Sequence, residues 1–181
     1  MARAEDKIGL TSSLASCRCG HVKLEISGAP LLASICFCAS CQEAGRLHQA
    51  LPGADTVLGA DGGTSYVLYR KDRVRCVAGG DQLDEVKLKP ESPTRRLNAR
   101  CCNTAMFADF TKGHWLSVYR GRAPADTPPP TMRMMTAARP AGVELPDDMA
   151  NYPGYSGKLM LRLLGAWMAM GFRRPKVEGV A

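Results

Sequence analysis

The residues of this sequence with the most distinctive chemistry are its cysteines. Eight occur among 181 residues, and seven of them fall into three tight groups. Grouped thiols form disulfides in exported proteins and bind metals or carry out redox chemistry in reducing compartments. The three groups are Cys17 with Cys19, then Cys36, Cys38 and Cys41, and last the adjacent pair Cys101 and Cys102.

The two ends of the chain help to decide between disulfide bonds and metal binding. Residues 1–10 contain four charged side chains and no apolar stretch of the kind found in secretion signals. The longest apolar run, 159–170, is interrupted by Arg162 and is too short to span a bilayer. We therefore expect a cytoplasmic protein without a transmembrane segment, in which grouped cysteines indicate bound metal.

The first and last cysteine groups together make a complete set of zinc ligands. A structural zinc ion is closed by four ligands in a tetrahedron, so Cys17 and Cys19 need two more from elsewhere. Cys101 and Cys102 can supply them if the chain folds back. Neighbouring side chains on a strand point to opposite faces, so both can bind one ion only where the backbone turns; otherwise Cys102 binds and Cys101 has another role.

The middle group has a different character. Cys36, Cys38 and Cys41 offer three thiolates within six residues. Three protein ligands and one open position are typical of catalytic zinc, which can bind a small thiol and lower its pKa for attack on an aldehyde carbon. The alternative is a second structural site closed by His48, a water molecule or another chain. We predict one structural Zn²⁺ and consider a second, labile one.

These groups must be positioned by a β domain, because the sequence between them consists of short strand patterns separated by Gly and Asp turns. Apolar residues make up 45% of the chain, enough for a core. Four prolines within residues 123–130 indicate an extended linker. A helical pattern follows, with Ser156 as N-cap and Pro175 as its end. Strands are predicted at 21–26, 31–36, 64–70, 73–77, 82–88, 94–99 and 114–119.

We therefore predict a mainly β protein of short antiparallel sheets with a C-terminal α-helix. Its parts are a flexible leader over 1–16, a zinc-binding β domain over 17–122, a Pro-rich irregular linker over 123–154 and an amphipathic helix over 155–174. The net charge of +7 is spread over scattered basic residues, which favours a solvated surface over a nucleic-acid interface.

The cysteine groups together resemble the glutathione-dependent formaldehyde-activating enzyme (GFA) family, which includes centromere protein V-like proteins. Residues 17–22 match its opening pattern C-x-C-G-x-V, and residues 36–41 match C-x-C-x-x-C. Its late pair, usually C-x-x-C followed by a small residue and Thr, is matched loosely by Cys102-Asn103-Thr104. The adjacent Cys101 and Cys102 place the sequence closer to an uncharacterised branch. The resemblance covers about residues 14–120.

The resemblance implies a β-tent, a fold of small sheets pinned by zinc. It implies structural zinc on Cys17, Cys19 and the late cysteines, and a more labile zinc on the middle group, where glutathione acts. The implied reaction adds glutathione to formaldehyde to give S-hydroxymethylglutathione, a carbon–sulfur lyase reaction in reverse. The implied partner is a small thiol such as glutathione, and the catalytic residues are Cys36, Cys38 and Cys41.

Further roles follow from this interpretation. Glu43 is the carboxylate nearest to the middle group and is the candidate base, and Arg46 or Arg100 are candidates to hold substrate carboxylates. The competing hypothesis is a non-catalytic zinc-binding interaction module, which the linker and the amphipathic helix favour. Binding to nucleic acid ranks below both.

Overall fold

Short strands dominate the structure, a computed structural model that describes residues 12–180. Within that range it contains eleven strands and two α-helices, and the predicted mainly β fold with a C-terminal helix is confirmed. The helices are α1 (Ala39–Gln49) and α2 (Gly157–Ala169). The strands are β1 (Ser12–Ser16), β2 (Lys23–Ser27), β3 (Leu32–Cys36), β4 (Thr64–Arg70), β5 (Val74–Ala78), β6 (Leu83–Val86), β7 (Thr94–Ala99), β8 (Thr104–Phe110), β9 (Trp115–Tyr119), β10 (Met132–Met134) and β11 (Ala150–Asn151).

The strands form two sheets. The small sheet has the order β1-β2-β5, and the large one has the order β11-β10-β3-β4-β9-β8-β7-β6. Pairing is antiparallel except at β10, which runs parallel to β3 and to β11. The β3–β10 register sets Met134 beside Cys36, at the end of β3 that leads into α1. The large sheet therefore brings elements from the whole chain to the middle cysteine group.

Two apolar clusters lie on opposite faces of the large sheet. Val67 and Tyr69 of β4 belong to the cluster shared with the small sheet, whereas the alternate residues Tyr66 and Leu68 belong to the cluster shared with α2. Side chains that alternate along a strand face opposite sides, which explains this division. Fully burying one large apolar side chain, such as Phe107, contributes about 1.5–3 kcal/mol.

The structure departs from the prediction in three places. Residues 12–16 of the predicted leader form β1, which pairs with β2; the remainder of that leader lies outside the described residues. The stretch 123–154 is not wholly irregular, because β10 and β11 add to the large sheet. β10 and β11 are too short, at three and two residues, to show a pattern. β8 is buried on both faces, so its apolar residues do not alternate, and α1 contains few apolar residues.

The C-terminal helix begins as predicted and ends earlier. The Ser156 hydroxyl accepts a hydrogen bond from the Leu159 N–H at 3.1 Å, as expected of an N-cap. The helix ends at Ala169, ahead of the predicted boundary, and Gly171 follows in the left-handed region with φ of 60°. A glycine in this conformation terminates a helix, so the helix ends before it reaches Pro175. Within residues 12–180, no helix is both long and apolar enough to cross a membrane.

Candidate metal centres

Four cysteine sulfurs from distant parts of the chain converge beside the small sheet. The Cys17 Sγ lies 3.5 Å from that of Cys19 and 3.8 Å from that of Cys101. The sulfurs of Cys101 and Cys102 are 3.8 Å apart, and all four lie within 4.8 Å of one another. A tetrahedral ion with Zn–S bonds of about 2.3 Å spaces its sulfurs by about 3.8 Å. The donor set fits a closed thiolate zinc site.

Two tight turns create this group. After β1, the Gly20 N–H donates to the Cys17 carbonyl at 3.0 Å, which curls residues 17–20. Between β7 and β8, the Cys102 N–H donates to the Ala99 carbonyl at 3.2 Å, and Asn103 adopts a left-handed φ of 48°. The backbone turn needed for both neighbouring cysteines to face one ion is therefore present.

Hydrogen bonds to the sulfurs prepare them as ligands. The Val22 N–H donates to the Cys17 Sγ at 3.2 Å. The Thr104 hydroxyl lies 3.0 Å from the Cys102 Sγ and accepts the Arg18 N–H, so its own proton is left for the sulfur. Burial raises the pKa of the Cys102 thiol, but hydrogen bonds from Thr104 and the Cys19 backbone outweigh it and lower the pKa to about 6. These contacts favour the thiolate that zinc requires.

The middle group is assembled where β3 passes into α1. Cys36 is the last residue of β3, Cys38 is the N-cap of α1, and Cys41 lies in its first turn. Their sulfurs lie within 4.8 Å of one another. Hydrogen bonds from Cys36 and Cys41 lower the pKa of the Cys38 thiol. The N-terminus of α1 adds a favourable dipole for negative charge at this point.

Buried neighbours hold this segment in place. The Phe37 side chain is fully buried, and its N–H donates to the Met134 carbonyl at 3.0 Å. The Gln42 side-chain amide donates to the Phe37 carbonyl at 2.6 Å and to the Ala138 carbonyl at 2.7 Å. The cysteines on either side of Phe37 are thereby fixed to the large sheet.

Among the described residues, only the three cysteines make up the middle metal-ligating group. His48 is not among them: it is buried on α1, with Nε2 3.2 Å from the Asp55 carboxylate. The alternative in which His48 closes this site is therefore wrong, because the helix turns that residue toward Asp55. Three thiols with no fourth protein ligand is the arrangement that leaves a coordination position open.

The structure also separates the predicted base and anion-binding residues from this group. Glu43 and Arg46 pair with each other at 2.5 Å on the exposed side of α1. Arg100 lies beside Asp84 and Gln82, near the first cysteine group. Residues three apart on a helix share a face, which explains the Glu43–Arg46 pair. None of these side chains lines the cavity described next.

The middle group opens onto a cavity of about 420 Å³ between the large sheet and α2. This volume is within the range of small-molecule sites. Its floor is one face of the sheet, built from alternate residues such as Ser34 and Cys36 of β3. A larger cavity of about 570 Å³ lies along 55–63 and 119–122 but holds none of the grouped cysteines. The smaller cavity is the one lined by grouped cysteines, and it is therefore the candidate site.

Arg96 contributes a buried positive charge to this cavity. Its side chain donates to the Ser40 carbonyl at 3.0 Å and to the Ser40 hydroxyl at 2.9 Å, and the residue is 4% exposed. Its Nε has no hydrogen-bond partner within the described chain. A buried guanidinium with a free donor is suited to an anionic ligand group.

Tyr66 adds a hydroxyl next to the middle group. It donates to the Cys41 Sγ at 3.7 Å, and its ring lies 4.9 Å from that of Tyr119. Burial raises the pKa of the Tyr66 phenol well above its ordinary value, so the phenol keeps its proton. Sequence reasoning missed Arg96 and Tyr66. The adjacent Arg95 and Arg96 in a predicted strand gave one usable signal, because one of the two must face inward.

Comparison with known proteins finds a family similar to the first part of the chain. Residues 12–54 match the family model described as glutathione-dependent formaldehyde-activating enzyme. The matched segment is similar to the GFA family. The match confirms the resemblance seen in the sequence, and it spans five of the seven grouped cysteines: Cys17, Cys19, Cys36, Cys38 and Cys41.

Other comparisons add little to this similarity. No curated protein matches the chain. The crystal structure of a Rhodobacter sphaeroides protein, a structural genomics target, is similar at 16% identity and a TM-score of 0.45. That likeness covers 77% of this chain and 99% of the other, and at this TM-score it carries no weight for function.

Proposed function

We propose that this chain is a zinc-dependent carbon–sulfur lyase that forms and splits adducts between a small acidic thiol and an aldehyde. Glutathione and formaldehyde are the proposed pair, and S-hydroxymethylglutathione is the adduct. The observation that supports this best is the middle group of three cysteines, which has no fourth ligand among residues 12–180 and opens onto a cavity of about 420 Å³.

Two zinc ions have separate roles in this proposal. Cys17, Cys19, Cys101 and Cys102 would hold a structural ion, since their sulfurs match tetrahedral spacing. Cys36, Cys38 and Cys41 would hold the second ion. When bound there, zinc supplies a Lewis acid that lowers the pKa of a substrate thiol.

Arg96 supplies the reason to expect an acidic thiol. Its guanidinium is buried in the cavity wall, and its Nε lacks a partner in the described chain. Glutathione carries carboxylates, which pair with a guanidinium through charge-assisted hydrogen bonds. Arg96 would therefore orient the thiol toward the cysteines, a positioning role that the exposed Arg46 cannot fill.

The reaction requires neither an oxidant nor a net change in protons. The thiol sulfur forms a bond to the aldehyde carbon, the carbonyl π bond breaks, and the thiol proton ends on the new hydroxyl group. The lyase direction reverses these steps. Tyr66 keeps its proton and points at the Cys41 sulfur, so it serves as a hydrogen-bond donor inside the cavity. The buried apolar residues Leu159 and Leu163 line the cavity on the side of α2.

Exchange NMR can test this activity, because it measures the rate at which glutathione and formaldehyde interconvert with their adduct. We expect wild-type protein to accelerate exchange and Cys38→Ser to remove the acceleration while keeping the thermal unfolding transition. Cys76→Ser is the matched control, because Cys76 belongs to neither metal-ligating group. Full acceleration by Cys38→Ser, or none by the wild type loaded with zinc, would disprove the proposal.

A further inference from the structure

Helix α2 packs on the domain with one side only. Its buried residues recur at three- or four-residue intervals, and Leu159 and Leu163 belong to the apolar cluster on one face of the large sheet. The outer side is also rich in apolar residues, which is unusual for a helix at the surface. The buried residues are Leu159, Leu163, Ala166 and Met170. The exposed apolar residues, with exposed fractions, are Met160 46%, Leu161 71%, Leu164 46%, Met168 54% and Phe172 59%.

These exposed residues are contiguous. Met160, Leu164 and Met168 are spaced by four and lie in one row along the helix, with Leu161 beside them. Phe172 extends the row past the helix end, where its ring meets the Trp167 ring at 5.3 Å. Proteins seldom expose an apolar patch of this kind unless it binds a surface.

The charges around this row have a single sign. Between Ser156 and Val177 the sequence contains five basic residues and no acidic one. All five basic residues are exposed, and Arg174 lies over the Trp167 ring at 5.2 Å from its centroid. The five are Lys158, Arg162, Arg173, Arg174 and Lys176.

We propose that α2 is an interfacial helix that binds the surface of an anionic lipid membrane. An exposed apolar row bordered by lysine and arginine is the pattern of helices that lie in the plane of a bilayer surface. The apolar side chains would enter the acyl boundary while the basic ones meet lipid phosphates and carboxylates. The helix lies on the membrane and does not span it, since it is too short to cross.

The charges favour a lipid surface over a second copy of the chain. A two-fold dimer through this row would pair the same surface with itself and bring the basic residues of the two copies together. Like charges at such a contact repel, whereas an anionic bilayer attracts all of them. The charge distribution therefore selects the membrane as the occupant.

The membrane-binding surface reaches the mouth of the cysteine cavity. Met160 and Tyr155 both line that cavity, and Tyr155 is 65% exposed. A bound membrane would therefore lie next to the opening. This inference does not rest on the proposed enzymatic function, because it depends on α2 alone.

Co-sedimentation with vesicles tests the inference on the full chain. We expect binding to phosphatidylcholine vesicles that contain phosphatidylserine, little binding to phosphatidylcholine alone, and weaker binding as salt is raised. The double variant Leu161→Glu/Leu164→Glu should lose binding. The matched control Leu47→Glu/Leu51→Glu changes two exposed leucines at α1, on another surface, and should bind as the wild type does.

The results of this experiment distinguish a membrane from a second copy of the chain as the partner of α2. Loss of binding in the α2 variant, with unchanged thermal unfolding and zinc content, supports the membrane. Equal binding by the α2 variant and the wild type would overturn the inference, as would the absence of binding to anionic vesicles. Self-association in sedimentation velocity that the α2 variant abolishes, without vesicle binding, would assign the surface to a second copy and equally overturn it.

Discussion

The sulfurs of Cys19 and Cys101 lie 3.3 Å apart although 82 positions separate them in the sequence. Their meeting closes the β domain from its first turn to the turn between β7 and β8. A metal ion bound there would link the two turns, and a link across so long a loop removes much of the freedom of the unfolded chain.

Breaking this link should therefore cost stability. We expect Cys101→Ser to lower the free energy of unfolding by about 4 kcal/mol, the scale on which closing a loop of this length acts. Chemical denaturation measures the change, with Cys76→Ser as control. If Cys101→Ser and Cys76→Ser unfold alike, and a chelator does not move the wild-type transition, the first group is not a structural metal site.

A second prediction concerns the buried ion pair of Lys71 and Asp109. The Lys71 Nζ lies 2.7 Å from the Asp109 carboxylate and donates to the carbonyls of Phe110 and Gly113. The other oxygen of this carboxylate accepts from the Arg95 Nε at 2.9 Å. Asp109→Asn removes the counter-charge of the buried Lys71 ammonium and weakens the contact with Arg95, and it should cost about 3 kcal/mol.

The matched comparison for that variant is Glu43→Gln. It breaks the Glu43–Arg46 pair, in which both side chains are largely exposed, and should cost less than about 1 kcal/mol. Urea unfolding of both variants measures the difference. Similar losses in the two variants would mean that burial does not set the strength of the ion pairs of Asp109.

His114 predicts a dependence of stability on pH. Burial lowers its pKa, and nearby Lys71, Arg174 and Arg70 lower it further, while its Nε2 bonds the Leu163 carbonyl at 2.8 Å. Because the folded protein binds this proton less readily than the unfolded chain, the contribution is complete above the unfolded pKa of about 6.5. It is lost as the pH falls from there toward the lowered folded pKa.

The test compares the wild type with His114→Gln, which keeps a side-chain donor for the Leu163 carbonyl. The difference in free energy of unfolding between the two should shift in favour of the variant as the pH falls through about 6. A difference that stays constant from about pH 7 to pH 5 would show that His114 does not titrate with a lowered pKa.

Arg96 predicts a specificity that depends on the charge of the thiol. Arg96→Met should raise the KM for glutathione by about thirtyfold, equivalent to about 2 kcal/mol for a lost charged hydrogen bond. A thiol without carboxylates, such as 2-mercaptoethanol, should be affected much less. Ser40→Ala is the control, because it removes the Ser40 hydroxyl but leaves the guanidinium. Equal losses for both thiols would rule out recognition of a carboxylate by Arg96.

The sequence predicted features with strong local patterns. Val22, Leu24 and Ile26 alternate with polar residues, and all three are buried as one face of β2 and the turn before it. The cysteine groups could also be found, because zinc chemistry restricts residue type and spacing. The turn that lets the side chains of Cys101 and Cys102 point to one site requires Asn103 in the left-handed region, and no sequence pattern predicts that conformation.

What the sequence could not predict arises from long-range packing. α1 has few apolar residues, so its periodicity is weak, and its position depends on the Gln42 bonds to Phe37 and Ala138. Arg96 reaches the cavity only because β7 pairs with β8 in the large sheet. Glu43 is near the cysteines in sequence, yet helical geometry turns it outward to Arg46.

The most direct test of the account is the zinc content per chain, measured by elemental analysis before and after dialysis against glutathione. The two cysteine groups predict two zinc ions in protein purified without a chelator, one of which glutathione removes because the middle group is open to the cavity. A chain that binds no zinc, or one that keeps all its zinc in the presence of glutathione, would contradict the account.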